Sequence, residues 1–250
     1  KWLGDRSALV STAGIALIGN EILSGKVADV NAAYLCRELR SLGVDVRKIV
    51  VIPDEVDVIA REVSELSRCC DFVFTSGGVG PTHDDVTIEG ISRAVGVSVV
   101  RDPHLVGLLE QFYKGNVNEA RLKMAEVPEG AQLLVGGSLP FPVVSISNIY
   151  IFPGVPEIFR QKFEALKERF RDSPYFLKSV FVEIGEGTLA DYLNNLLKAF
   201  PRLMLGSYPK YSNPDYKVKV TLESKDCEYL ERALSEFLGA LPPDAVLRVE

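Results

Sequence analysis

Two adjacent carboxylates, Asp84 and Asp85, follow three closely spaced glycines, Gly77, Gly78 and Gly80, in the stretch from Thr75 to Thr87. Glycines permit φ > 0 and let a ligand approach the main chain, and Pro81 stiffens the exit. A glycine loop between a strand and a helix turns backbone N–H groups and a helix dipole towards an anion, and phosphate is the obvious candidate. Bare carboxylates repel phosphate, so Asp84 and Asp85 beside such a cradle argue for a divalent cation between them. The chemistry open to this combination is metal-assisted reaction at phosphorus. The alternative is a glycine turn whose acid caps a helix. Neither a Gly-Lys-Ser/Thr ending nor a Gly-x-Gly-x-x-Gly spacing is present, which excludes the two commonest phosphate loops.

The elements around the loop must hold it in place. Phe72, Val73 and Phe74 form a short apolar run that reads as a strand buried on both faces of a parallel sheet. A helix beginning near Val86, with Ile88, Ile91 and Val95 inward, follows the loop, and Thr82, Asp84 or Asp85 could cap it. Ala13 to Ile18 makes a second strand, which ends in Gly19-Asn20-Glu21-Ile22-Leu23. Glu21 is either a third oxygen ligand or an ordinary loop acid. Asn31 is either a helix cap, with Asp29 as the alternative, or a ligand contact. The helix behind it points Leu35, Cys36, Leu39 and Leu42 inward and stops at Gly43. A strand over 44–52 leads to Pro53-Asp54-Glu55, which opens a helix with Ile59, Val63 and Leu66 inward.

Residues 101–113 read as a helix, and 114–142 as a less regular excursion in which Lys123 could neutralise a phosphate. Strands over 143–147 and 148–152 meet at a tight turn. Phe152-Pro153-Gly154-Val155-Pro156-Glu157 then leads into a helix with Ile158, Phe159, Phe163 and Leu166 inward, a third loop on the same sheet edge. The alternation predicts a three-layer α/β/α domain over residues 13–171 with a mostly parallel sheet. After Asp172-Ser173-Pro174, residues 174–250 read as a small β-α-β-β-α-β sandwich, the split βαβ motif. Its order resembles an RNA-binding KH module, but the Gly-x-x-Gly loop that such a module needs is missing from residues 172–250. Gly206, Ser207, Tyr208 and Lys217 are its most ligand-like residues; Tyr208 could stack on an aromatic ring, or the segment is a plain strand-to-strand loop.

Composition narrows the classes. A formal net charge of −6 over 250 residues argues against a nucleic-acid partner. No stretch approaches the roughly 18 uninterrupted apolar residues of a membrane span. The four cysteines include no Cys-x-x-Cys pair, and Cys36, Cys69 and Cys70 read as small core residues, which implies a reducing, cytoplasmic setting. Of two histidines, His83 sits within the loop, either near phosphate or metal or simply solvated; His104 at a helix start carries no assigned role. The first residue is Lys1, and residues 1–12 show no clear pattern, so the chain reads as a module of a longer protein whose targeting segment is not included.

The run from Gly77 to Thr87, of the form GGxGPTxDDxT, resembles the signature loop of molybdopterin-binding-like domains, and this form is typical of their CinA branch. Gly19 to Leu23, Asn31, Pro53 to Glu55, Pro128 to Ala131 and Phe152 to Glu157 are similar to the family's further motifs in order. Arg40 to Val44, Val51 to Val56 and Leu205 to Pro209 are similar to the N-terminal region of eukaryotic FAD synthase; the resemblance runs from about residue 13 to 249. It implies a metal-dependent pyrophosphatase site that hydrolyses FAD to FMN and AMP, or ADP-ribose, using Mg²⁺, Mn²⁺ or Co²⁺. Asp84, Asp85, Glu21 and Lys123 would then be catalytic, the three acids holding the metal. Gly77, Gly78, Gly80, Pro81, Thr82, Thr87, Asn31, Asp54, Gly154, Pro156, Glu157, Ser207 and Tyr208 would contact substrate.

The adenylyl-transferring PAPS-reductase-like domain of FAD synthase has no counterpart motif here and would be a partner elsewhere in a full-length protein. Related domains form dimers or trimers, so a homo-oligomer is open. Met124 departs from the glutamine of many CinA sequences, which removes a polar group beside Lys123. A non-catalytic nucleotide- or molybdopterin-binding regulatory domain is the competing class, and a molybdopterin adenylyltransferase ranks below it.

Overall fold

The structure is a computed structural model and describes residues 10–136, 140–210 and 215–250. The expected leader over 1–12 therefore lies mostly outside the described residues. The chain divides into two compact units, Lys1–Asp172 and Ser173–Glu250.

In the first unit, β1 (Thr12–Ile18) is followed by a single turn, α1 (Asn20–Leu23), and by α2 (Asn31–Ser41). Next come β2 (Asp45–Ile52), α3 (Val56–Cys69), β3 (Phe72–Ser76) and α4 (Thr87–Val95). A short excursion holds β4 (Val99–Arg101), α5 (Pro103–Phe112), α6 (Glu119–Lys123) and β5 (Glu126–Pro128). The unit closes with β6 (Gln132–Leu134), β7 (Val143–Ile146), β8 (Ile149–Phe152) and α7 (Pro156–Leu166). The main sheet runs β2-β1-β3-β8-β7-β6. Its first four strands are parallel, and β7 and β6 are antiparallel.

The two-residue period of a strand explains both cores. Ile15, Leu17 and Phe74 face α2 and α7, where they meet Leu35, Leu39, Phe159 and Phe163. Ala16, Ile18 and Val73 face the other way, towards Ile59, Val63 and Leu66 of α3 and Ile91 of α4. Helices therefore cover both faces, and the three-layer, mostly parallel architecture expected from the sequence is the one observed. Ile158 corrects the sequence reading: it is 43% exposed rather than inward.

Close approach of α3 and α4 depends on Gly90. A Cβ there would lie 2.5 Å from Cγ2 and 2.6 Å from Cβ of Ile59. Gly90→Val is thus expected to destabilise the chain by about 2–3 kcal/mol through overpacking, despite the better helix propensity of valine. Urea titration followed by circular dichroism would check this; unchanged stability would mean that the two helices are farther apart than described.

The second unit holds β9 (Phe176–Val182), α8 (Glu186–Ala199), β10 (Met204–Pro209), β11 (Val218–Ser224), α9 (Cys227–Ala240) and β12 (Val246–Val249). Its sheet, β10-β11-β9-β12, is antiparallel throughout. Val180, Val182, Val220 and Leu222 pack against Leu189, Leu193, Leu230 and Phe237 of the two helices. The other face carries Phe181 with the Arg248 guanidinium 3.8 Å from its ring centre. This is the separate antiparallel sandwich read from the sequence.

Candidate functional site

Three strand ends converge on the glycine loop. The Gly19 N–H donates to the Ile52 carbonyl at 3.1 Å and the Gly77 N–H to the Phe152 carbonyl at 3.2 Å, which ties the loop after β1 to the end of β2 and the loop after β3 to the end of β8. Gly77 has φ +106°, and a Cβ there would lie 2.1 Å from the Ile18 carbonyl oxygen. A Cβ on Gly154 would lie 3.3 Å from the Gly77 Cα. Gly77 needs glycine because its backbone passes directly over that of β1, and a side chain at Gly154 would require a shift of a few tenths of an ångström.

Thr87 is fully buried and closes the loop from the helix side. Its hydroxyl donates to the Gly77 carbonyl at 2.9 Å and its N–H to the Gly78 carbonyl at 3.0 Å. Two expectations change here. Thr87 staples the loop instead of presenting its hydroxyl to substrate, and none of Thr82, Asp84 or Asp85 caps α4, whose N-cap residue is Val86. The Gly77 N–H is likewise already engaged, which leaves the stretch from Gly78 to Gly80 as the part of the loop able to face a phosphoryl group.

Asn31 is 3% exposed, and its amide nitrogen donates to the Ser76 hydroxyl at 3.0 Å and the Gly154 carbonyl at 2.8 Å. It links the ends of β3 and β8. Its Oδ1 is buried with no partner among the described residues, an acceptor with its bonding capacity unused. The cap of α2 is supplied by Asp29, whose carboxylate accepts from the N–H groups of Asn31 and Ala32.

Acidic groups gather around this frame. The Asp54 carboxylate accepts from the Asn20 N–H at 2.8 Å, and its other oxygen would lie 3.5 Å from a Cβ on Gly78. Burial pushes the Asp54 carboxyl above its ordinary range; the Asn20 bond opposes this, and the charges of Glu21, Asp84 and Asp85 add to the rise. Asp85 lies against Gly80 and accepts from the Thr82 N–H at 2.8 Å and from the Thr82 hydroxyl. Hydrogen bonding from Thr82 and from the loop backbone holds Asp84 below the usual carboxylate range, helped by His83 and Lys123. His83 projects into solvent with Nδ1 4.0 Å from the Asp84 carboxylate. The Lys123 ammonium donates to the Thr82 carbonyl, which brings the end of α6 onto the loop.

These donors suit a hard divalent cation in kind, since all are oxygens carrying negative charge. The described residues contain no group of three or more acidic, histidine or cysteine side chains placed to hold a metal ion. A three-acid set of Asp84, Asp85 and Glu21 is therefore not preassembled. Mg²⁺ is commonly held by one or two carboxylates together with substrate phosphates, so Asp84 and Asp85 still fit such an ion.

The remaining candidates are placed as follows. Pro81 and Thr82 are exposed on the loop, and Gly154, Pro156 and Glu157 lie after β8, with Pro156 and Glu157 in the first turn of α7. Ser207 and Tyr208 belong to the second unit, and they sit inside strand β10, not in a loop. The Ser207 hydroxyl donates to Glu186 at 2.8 Å, and Tyr208 is 55% exposed. Lys217 pairs with Glu183. All four cysteines are free thiols; Cys70 is buried, but Cys69 and Cys227 are exposed, so Cys69 is not the core residue expected.

A cavity of about 580 Å³ opens beside the loop, with Gly80, Asp85 and Lys123 in its wall. Lys162 of α7 also lines it. The Lys162 ammonium donates to the carbonyls of Phe141 at 2.9 Å and Pro142 at 2.6 Å, and burial lowers its pKa from 10.5 to about 8. The sequence carried a weak signal for this residue: it stands one turn beyond Ile158 and one before Leu166, on the flank of an apolar stripe.

A pH dependence follows. The unfolded chain keeps the Lys162 proton up to the ordinary 10.5, while the folded chain releases it near 8. Between these values the unfolded state binds more protons, so stability should rise with pH. The wild-type increment lacking in Lys162→Met should be on the order of 2 kcal/mol after allowing for residual solvent exposure. Urea midpoints of both chains at pH about 7.5 and 10 would measure it; parallel pH profiles would refute the burial of this ammonium.

Among the described residues no helix is long and apolar enough to cross a membrane. Residues 14–172 match the family described as "Probable molybdopterin binding domain", and residues 174–250 match "FAD synthase, middle domain". A protein of Archaeoglobus fulgidus is 38% identical over 223 residues, covering 89% of this chain and 95% of its own. The "Probable FAD synthase" of Caenorhabditis elegans is 35% identical over 253 residues, covering 90% of this chain and 49% of its own. The chain thus spans about half the length of that relative. Among solved structures, the CinA protein of unknown function from Thermoplasma acidophilum superposes with a TM-score of 0.60 at 28% identity, covering 65% of this chain and 100% of that one. The chain belongs to the molybdopterin-binding-domain family, in the form that carries a FAD synthase middle domain behind it.

Proposed function

We propose that the first unit hydrolyses the pyrophosphate bond of a nucleotide, FAD to FMN and AMP, with ADP-ribose as a second substrate of the same chemistry. The observation that carries this reading is the joining of a glycine loop, two loop carboxylates and one lysine in a single place. Anion donors alone would suit a binding site. Carboxylates alone would repel the ligand. Together with a cation they form the donor set of metal-assisted phosphoryl chemistry.

In this reading, Asp84 and Asp85 would hold the divalent cation, and Glu21 and Asp54 keep the surrounding potential negative. When bound, the cation supplies charge neutralisation at the phosphoryl oxygens and a more acidic water. The loop from Gly78 to Gly80 takes one phosphoryl group, and Lys123 faces the charge that develops on the departing phosphate. Asn31 and Thr87 act by holding the three loops in register. The stretch of the FAD synthase relative beyond its match to this chain would supply a different reaction in a full-length protein, and the setting would be cytoplasmic.

A non-catalytic nucleotide-binding domain is the second reading, favoured by the lack of a preassembled three-acid metal site among the described residues. Chromatography of FAD and ADP-ribose incubated with the purified chain, each with Mg²⁺, Mn²⁺, Co²⁺ or a chelator, separates the two. Metal-dependent AMP release from either substrate supports hydrolysis. Nucleotide binding with no products under any metal supports the binding domain.

A further inference from the structure

The cavity beside the loop is lined in part by Leu105, Leu109, Phe112, Tyr113, Phe141 and Ile151. Phe112 packs edge-on against Tyr113 and Phe141, with ring centres 5.0 and 5.6 Å apart, and is itself 61% exposed. An aromatic group at that exposure beside a cavity is a wall available for ring stacking. The cavity volume, about 580 Å³, lies in the range that holds a drug-sized molecule and far exceeds what a purine base fills.

Within this largely apolar wall sits the Lys162 ammonium. Two of its protons are taken by the carbonyls of Phe141 and Pro142, and no carboxylate among the described residues pairs with it. The third proton remains for an acceptor in the cavity. The same cavity is also lined by Gly80, Asp85 and Lys123 of the phosphoryl site. A ligand filling the space therefore joins a phosphate to a large planar ring that is apolar on most of its rim and carries an acceptor.

We infer that this cavity is the subsite for a tricyclic, carbonyl-bearing ring of the isoalloxazine type, with Lys162 donating to an acceptor on the ring edge and Phe112 stacking at the mouth. This rests on the reading above that the loop takes the pyrophosphate of such a nucleotide. It goes further in assigning which half enters: the flavin half occupies the cavity, and the adenosine half lies outside it. Lys162 is accordingly a specificity residue and touches no reacting atom.

The test is metal-free equilibrium binding of FMN, followed by quenching of flavin fluorescence, and of AMP, followed by calorimetry. Lys162→Met is expected to weaken FMN by about tenfold or more, the scale of losing a charged hydrogen bond, and to leave AMP within about twofold. Phe112→Ala, at an exposed position that spares folding, is expected to weaken FMN about threefold or more and AMP not at all. Unchanged FMN affinity in both variants, loss of AMP affinity in their place, or absence of FMN binding to the wild type would each overturn the assignment. Because no turnover is read, failure of hydrolysis leaves this result standing. Hydrolysis of FAD with the same KM in wild type and Lys162→Met would overturn the subsite and leave hydrolysis intact.

Discussion

Asp85→Ala is expected to slow metal-dependent FAD hydrolysis at least a hundredfold in a chain that remains folded. The magnitude is that of removing one electrostatic stabiliser from a preorganised site, about a hundred- to a thousandfold. Asp85 has two tasks that a single truncation cannot separate. Its carboxylate carries charge for a cation, and it also accepts from the Thr82 N–H and hydroxyl, which fixes the turn that Lys123 grips. Asp85→Asn separates them, because its amide oxygen still accepts from Thr82 while the charge is gone. If charge is the function, Asn should fall nearly as far as Ala, and KM should change less than kcat. A near-normal rate in Asp85→Asn would reduce Asp85 to a turn-forming residue, and a near-normal rate in Asp85→Ala would remove the loop from the chemistry.

Gly77→Ala should be strongly damaging to stability, by about 2–6 kcal/mol, a large part of the whole stability of many domains. Two causes add. The φ of +106° at this position is strained for any residue with a Cβ, by about 1–3 kcal/mol. The Cβ would also stand 2.1 Å from the Ile18 carbonyl oxygen, part of the rigid backbone of β1. Relieving that overlap moves β3 away from β1 or pushes the loop outward, at a further cost of about 1–3 kcal/mol. Thr87 and the Phe152 carbonyl, both bonded to Gly77, would lose their partner in the second case. Chemical denaturation would measure the loss where the protein is soluble, and insolubility on expression is the stronger form of the same result. Stability within about 1 kcal/mol of wild type would mean that the loop does not pass over β1 as described.

Much of this frame was legible in the sequence because it is written in local patterns. Ala13 to Ile18 and Phe72 to Phe74 are apolar at successive positions, as a strand covered on both faces requires, and each ends in glycine. The helix at Pro156 declared itself by proline in its first turn and by Phe159 and Phe163 on one side. The convergence of the loops followed from topology, since parallel strands place their carboxyl ends on one edge.

What escaped the sequence was set by contacts distant along the chain. Thr87 looked like a ligand contact because nothing local shows that its hydroxyl is occupied by Gly77. The strand Val99–Arg101 has only three residues and pairs with Glu126–Pro128 across the whole of α5 and α6. A strand over 203–207 is expected from the sequence, with the segment at Tyr208 and Pro209 as a strand-to-strand loop, whereas β10 runs on to Pro209. In the strand, Gly206 leaves the space that the Tyr208 ring occupies, its hydroxyl 2.7 Å from where a Cβ would be. The cavity and Lys162 were hidden for the same reason. Its walls come from segments spread from Val79 to Lys162, and only folding brings them together.

The most direct test of the central claim is mass spectrometry of the products formed from FAD in water enriched in heavy oxygen, with Mn²⁺ present or chelated. The account predicts FMN and AMP in equal amounts, one of them carrying a single heavy oxygen from solvent, with Mn²⁺ only. Intact FAD under both conditions from a chain that binds the nucleotide, or products that form equally well in chelator, would contradict it.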